Sequence, residues 1–268
     1  MLEILRPFFR GEWTQYGESL RLDETTPLQT SVAQWLLNPV GLTQALALHA
    51  EFLGGARVFK AVASDWMLRY LTALLPPVVA LSSLLKYRVP TNWHDMALTL
   101  SERGAPAFFA IERLGNPQPA ANTATRYDAL VWQHLAPFIA RMHEHTQVPT
   151  KILRGNACRT LFGIFEQALQ LVASNTALVR ELIEDRRQLL ESPAWSDGRR
   201  NPLFLRRRQV SVSHAGGSLT LTLHASCCLA HQLPRTGFCG ACPLAPEYRK
   251  CRTVHSSVHD GNFYEPIN

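Results

Sequence analysis

The chain has 268 residues, and its apolar share of 46% is ordinary for a globular protein, enough for one large domain or a domain with an appendage. Its net charge of +6 is uneven: residues 195–252 hold nine Arg or Lys against two acids, a local +7, so the rest of the chain sums to −1. That excludes a uniformly basic body and leaves a basic C-terminal quarter, suited to an acidic protein, an anionic ligand, an anionic membrane surface or nucleic acid.

The opening stretch, MLEILRPFFRGEW, has charges among its apolar residues and no long apolar core, so no secretory signal is expected there. Apolar residues at three- and four-residue intervals predict helices over 31–37 and 41–53, separated by Asn38-Pro39, with Gly54-Gly55 as a C-cap. The stretch 71–85, LTALLPPVVALSSLL, is shorter than the roughly 20 apolar residues a membrane span needs. Its proline pair predicts two core helices, 58–75 and 78–87, meeting at Pro76-Pro77. No transmembrane segment is expected, and a cytoplasmic location is.

Loose alternation interrupted by Gly-Ala-Pro predicts a hairpin of strands 96–100 and 107–112. Helices are expected over 126–145, 151–172 and 176–191. The stretch SPAWSDGRRNP then reads as a hinge. On either side of Gly216-Gly217 a clean period-2 alternation predicts a second hairpin, whose glycines supply positive φ in the turn and whose second strand, 218–224, leads directly into Cys227. The expected fold class is mainly α (α+β): a helical body over 1–195, a hairpin and metal lobe over 196–252, and a polar, loosely held tail over 253–268. There is no internal repeat.

Four of the six cysteines form the spacing C-C-x10-C-x2-C: Cys227, Cys228, Cys239 and Cys242. Thiolates are soft ligands that select zinc, cuprous copper or iron–sulfur clusters. In Cys239-Gly-Ala-Cys242 the glycine lets the backbone turn so that both sulfurs face one side. Cys227-Cys228 is unusual, because adjacent residues of a strand face opposite ways. A bend, or a cluster of several metal atoms, accommodates such a pair better than a single small ion does. The residues alone leave structural zinc and a [2Fe–2S] cluster open; a reducing cytoplasm disfavours disulfides.

This spacing, following a hairpin after a largely helical body, resembles the FhuF-type ferric siderophore reductase family. Leu233-Pro234, the CPL of Cys242 to Leu244, the NPL at Asn201 and the early LDETTPLQTSVAQW, residues 22–35, share in the resemblance. It implies that Cys227, Cys228, Cys239 and Cys242 hold a [2Fe–2S] cluster. It further implies one-electron reduction of a ferric hydroxamate-type siderophore in the cytoplasm. The tail beyond Cys242, with Cys251, departs from the pattern.

The alternatives are a zinc-stapled module that binds a siderophore or a protein, and an iron–sulfur redox sensor without a substrate. Arg206, Arg207, Arg208, Arg235, Arg249, Lys250 and Arg252 form either a solvated basic face or a dock for an acidic electron donor such as a ferredoxin or flavodoxin. Peripheral contact with an anionic membrane is compatible with the same patch. Nucleic acid is not expected as a partner, since no reading module accompanies it. No glycine-rich dinucleotide fingerprint occurs, so no nicotinamide site is expected. His224 and His231 flank the ligands, either as N–H···S donors or as surface residues. His143 and His145 follow a helix; His255, His259 and Cys251 suggest a second metal site less readily than a solvated tail. Cys158, Trp66 and Trp132 are expected in the core.

Overall fold

Several helices in this protein begin at a polar residue whose side chain satisfies a free amide of the first turn. The computed structural model describes residues 1–23, 30–214, 217–234, 236–249, 251 and 253–254. After the short α1 (Thr14–Gly17), Ser31 opens α2 (Val32–Leu37) with a reciprocal capping box to Gln34. Asn38 accepts from Val40 N and Pro39 takes the first position of α3 (Pro39–Phe52), which ends at Gly54 and Gly55, both at positive φ. Asn122 caps α5 (Thr123–Leu130), which runs through a π turn, Val131–Leu135, into α6 (Ala136–Thr146). Then come α7 (Thr150–Leu171), α8 (Thr176–Arg186) with a π extension Arg187–Glu191, and the short α9 (Pro246–Arg249).

One expectation is overturned. The segment expected to break at Pro76-Pro77 is a single helix, α4 (Phe59–Val79), continued by a π turn, Ala80–Leu84. Pro77 cannot donate to the carbonyl of Ala73, but the hydroxyl of Ser19 lies 2.6 Å from that carbonyl and shares its proton between it and Tyr16 O. The helix therefore keeps its course. By length and composition the run Phe59–Leu84 is apolar enough to cross a membrane, but 78% of its most apolar window is buried inside the fold. It is the central core helix. Trp66 on α4 stacks on Trp35 and donates Nε1–H to Gly104 O at 2.7 Å. Tyr70 stacks on Phe138 at 4.1 Å. Its hydroxyl donates to Nε2 of His134, whose Nδ1–H donates to Thr91 O. Burial lowers the His134 pKa to about 4, so the ring is neutral, as this tautomer requires.

Two small sheets complete the mainly α, α+β fold. In the first, β2 (Met96–Leu100) and β3 (Pro106–Ile111) form the expected hairpin, with Leu98 opposite Phe109. The three-residue β1 (Leu20–Leu22) adds parallel to β3, a strand too short to leave an alternation signal. In the second, β4 (Gln209–His214) pairs with β5 (Gly217–Thr222), and Gly217 has φ +138 at the turn. Gly216 lies outside the described residues. The start of the tail is not loose: β6 (Thr253–Val254) pairs antiparallel with Gln209 and Val210 of β4.

The expected hinge is also corrected, because residues 192–203 are clamped. Buried Asn201 shares the two hydrogens of its amide nitrogen among the carbonyls of Gln188, Leu189 and Ser192 and accepts from Leu203 N. Trp195 is buried edge-on to Trp132. Trp132 itself is half-buried beneath Arg199, so it is a flank of the core, not its centre. A buried ion pair, Arg126–Asp185, with Thr123 and Ser83 also donating to the carboxylate, ties α5 to α8.

Candidate metal centre

The hairpin β4–β5 delivers the chain to the cysteines. Leu223 N donates to Arg208 O, and His224 N donates to Ala241 O at 2.9 Å, which sets the two cysteine-bearing segments side by side. Cys242 N closes the knuckle on Cys239 O at 2.9 Å, and Tyr248 OH donates to Gly240 O. Leu229 adopts φ +67, a conformation uncommon for a residue with a side chain, and so turns the chain sharply just past the adjacent pair.

The structure brings all four motif cysteines together, in two pairs. Cys242 Sγ lies 3.7 Å from Cys227 Sγ, and the Cys239 thiol adjoins Cys228, whose ionisation it favours. The opposed directions of adjacent side chains are thus used: each member of Cys227-Cys228 takes one sulfur of the knuckle. Among the described residues no three His, Cys, Asp or Glu side chains converge on a single-ion site. All six cysteines are free. Burial raises the Cys227 pKa to about 11, whereas the hydrogen bond from Cys239, assisted by Arg159, pulls Cys228 down to about 5. Cys239 is pushed up by the same hydrogen bond and by burial. Four thiols this close ionise together only when cations replace their protons, so metal loading releases protons here.

The helical body grips this lobe directly. Ser64 on α4 donates to Cys228 O at 2.8 Å and is itself bonded by Asn156 of α7. Arg159 on α7 donates through Nη2 to Ser226 O at 2.9 Å, and its Nη1 lies 3.9 Å from Cys239 Sγ. One helical turn earlier, Gly155 allows a close approach: a Cβ there would collide with Ser226 Oγ, which donates to Lys151 O. Sequence reasoning missed Ser64, Gly155, Asn156 and Arg159. They lie far from the motif in the chain, and only their packing identifies them.

Of the flanking histidines, His231 places Nδ1 3.5 Å from Cys227 Sγ and stacks on Phe238, while Leu229 N donates to the same sulfur at 3.3 Å. The His224 ring lines a crevice instead; burial, then Arg159 and Arg207, lower its pKa to about 4. Cys158 is buried, donates to Leu203 O and is pushed up to about 12 by burial, as a packing residue would be. Cys251 donates to Glu247 O, and His255 and His259 lie outside the described residues. His143 and His145 bond to the carbonyls of Val148 and Leu36. Arg206, Arg208 and Arg249 are exposed, Arg207 covers Phe162, and Arg235, Lys250 and Arg252 lie outside the described residues.

A helical body gripping a lobe with four clustered thiols has the ligand set of a thiolate metal centre, which a binuclear iron–sulfur cluster or a zinc ion can occupy. A family model described as ferric iron reductase FhuF-like transporter matches residues 64–216, and one described as FhuF 2Fe-2S C-terminal domain matches residues 225–244; the chain belongs to the FhuF-like family. Its cofactor is a [2Fe–2S] cluster, which displaces the zinc reading, and it is an iron–sulfur protein of the ferric iron reductase type. Residues 22–35 lie outside both matched spans. Among curated proteins none matches the chain.

Proposed function

We propose that the protein is a cytoplasmic ferric siderophore reductase that takes hydroxamate-type complexes and releases their iron as Fe(II). The observation that carries this reading is the placement of four thiols in two pairs against α4 and α7, with Cys239 the partly exposed member. A cluster bound there supplies a single electron. Fe(III) is held very tightly by hard hydroxamate oxygens; Fe(II) is softer and less charged, so reduction is release. The chain's own residues hold and tune the site. Cys227, Cys228, Cys239 and Cys242 are the proposed ligands, Leu229 N donates to a sulfur, and Arg159 supplies positive charge beside Cys239. Exposed Arg206, Arg208 and Arg249 offer a dock for an acidic ferredoxin- or flavodoxin-like donor.

The test is anaerobic. The purified protein should contain about two irons and two sulfides per chain, and serine at any of the four motif positions should abolish or cripple the cluster. Serine at Cys158 or Cys251 should not. Protein reduced with dithionite should be reoxidised by a ferric trihydroxamate, with an Fe(II) chelator collecting the product. Reduced protein that transfers no electron to any ferric hydroxamate would overturn this reading in favour of a redox sensor.

A further inference from the structure

Two clefts meet along one face of α7. The larger, about 470 Å³, lies between the N-terminal segment, the second half of α4 and α7, and is walled by Phe8, Trp13, Tyr16 and Pro76. Among the described residues Arg159 is the one charged residue that lines it. The smaller, about 230 Å³, lies between α7 and the β4–β5 hairpin and reaches Ala225 and Ala241, beside the motif cysteines. Arg159 and Gly163 line both. Sharing these two residues, the clefts adjoin as a trench whose smaller end lies at the cluster lobe.

Gly163 is the telling residue. A glycine inside a helix costs stability relative to alanine. Gly155, two turns earlier, is required by its contact with Ser226, but Gly163 has no such reason: its φ is not positive, and a Cβ there would meet nothing within 4 Å. What the missing side chain leaves is open space over α7, midway between an apolar, aromatic-walled cleft and the lobe.

Resting on the reductase reading, we propose that this trench is the seat of the substrate: a ferric trihydroxamate lies over Gly163, its organic shell against Phe8, Trp13 and Pro76, with Arg159 between it and the Cys239 sulfur. The volume falls within the roughly 300–1,000 Å³ of small-molecule sites. Charge selects the class. Three singly charged hydroxamates cancel Fe(III), so the complex is neutral and presents alkyl and amide surface to an apolar wall. A tris-catecholate complex carries three negative charges, and a trench whose lining sets Arg159 and Arg207 against Glu166 would leave most of that charge desolvated and unpaired. The step balances as one electron out of the reduced protein and one Fe(III) converted to Fe(II). In the test dithionite supplies that electron.

Gly163 also provides the experiment, since a side chain there fills the trench without meeting the fold. The series Gly163→Ala, Gly163→Leu and Gly163→Phe should retain the visible spectrum of the cluster. Binding of the gallium(III) complex of a linear trihydroxamate, measured by calorimetry, should weaken progressively along the series, by about tenfold or more for phenylalanine. Reoxidation of the reduced protein by the ferric complex should slow in the same order, whereas ferricyanide, which is too small to need the trench, should react with all alike. Trp13→Ala, an exposed position on the opposite wall, should weaken binding without touching α7. If Gly163→Phe and Trp13→Ala bind the gallium complex as the unaltered protein does, the trench is not the site, though the reductase reading stands. If the unaltered protein reacts with ferricyanide but neither binds the gallium complex nor is reoxidised by the ferric one, the reductase reading itself fails and the trench assignment falls with it.

Discussion

Arg159 reaches two parts of the site with one guanidinium: Nη2 holds Ser226 O, and Nη1 faces the sulfur of Cys239. Reduction adds negative charge at the cluster, and a nearby cation stabilises that state more than the oxidised one. Arg159→Gln is therefore expected to lower the midpoint potential by roughly tens of millivolts, where ~59 mV is a tenfold change in a one-electron equilibrium constant. Arg159→Lys keeps the charge and loses the planar fork, so its potential should lie between the other two. An anaerobic redox titration followed by electron paramagnetic resonance of the reduced state measures all three. Identical potentials would give Arg159 a role in holding Ser226 and none in setting the potential. The sequence revealed basic residues near the motif in the chain but not this one. Arg159 lies 80 residues from Cys239, and on α7 its charge is one among several until the fold turns it inward.

The helix α4 shows how a reading made within one element can fail because of a partner in another. Two prolines argue for a break, since each removes a donor and its ring crowds the preceding turn. The rule counts donors within the helix only. Ser19, buried at 4% exposure and 54 residues away, supplies the donor that Pro77 lacks. Ser19→Ala should leave a buried carbonyl unpaired and cost about 1–3 kcal/mol. Pro77→Ala restores an N–H that can reach Ala73 O. The double variant should then lose less stability than the sum of the two single ones, a coupling that urea denaturation resolves. Strict additivity would mean that the Ser19 bond does not substitute for the missing helical one. The other helices were legible because their determinants are local: the Ser31 box, the Asn38-Pro39 start and the Gly54-Gly55 end all lie within a few residues of the boundaries they set. β1 and β6 were not, because strands of two or three residues exist only through the partner they pair with.

At the scale of the whole molecule, the cysteine quartet could be read from spacing because all its members fall within 16 residues, and the fold sets Cys242 beside Cys227. How the lobe is attached could not be read. The segment 192–203 has the composition of a hinge, yet Asn201 and Trp195 fasten it, and the lobe rests on α4 and α7 through Ser64, Gly155 and Arg159. Body and lobe are thereby joined at the backbone that carries the ligands. Ser64 holds the carbonyl of Cys228, and Ser226 is wedged against Gly155 in the residue just before Cys227. A side chain at Gly155 would collide with Ser226 Oγ and bring its first atom within 3.2 Å of Ser226 Cβ, so a branched side chain there must push Ser226 aside. Gly155→Val should therefore displace the segment carrying Cys227 and Cys228 while leaving the helices in place. The expected outcome is near-normal helical content by far-ultraviolet circular dichroism, together with a cluster that an iron chelator strips faster than from the unaltered protein, by about tenfold or more; tenfold corresponds to ~1.4 kcal/mol of barrier. Cys158→Ser, also on α7 but outside this contact, should strip at the normal rate. A Gly155→Val protein whose cluster persists as long as the unaltered one would show that the lobe holds its four cysteines without the body, and that its grip on α7 serves only to bring the trench and the cluster together.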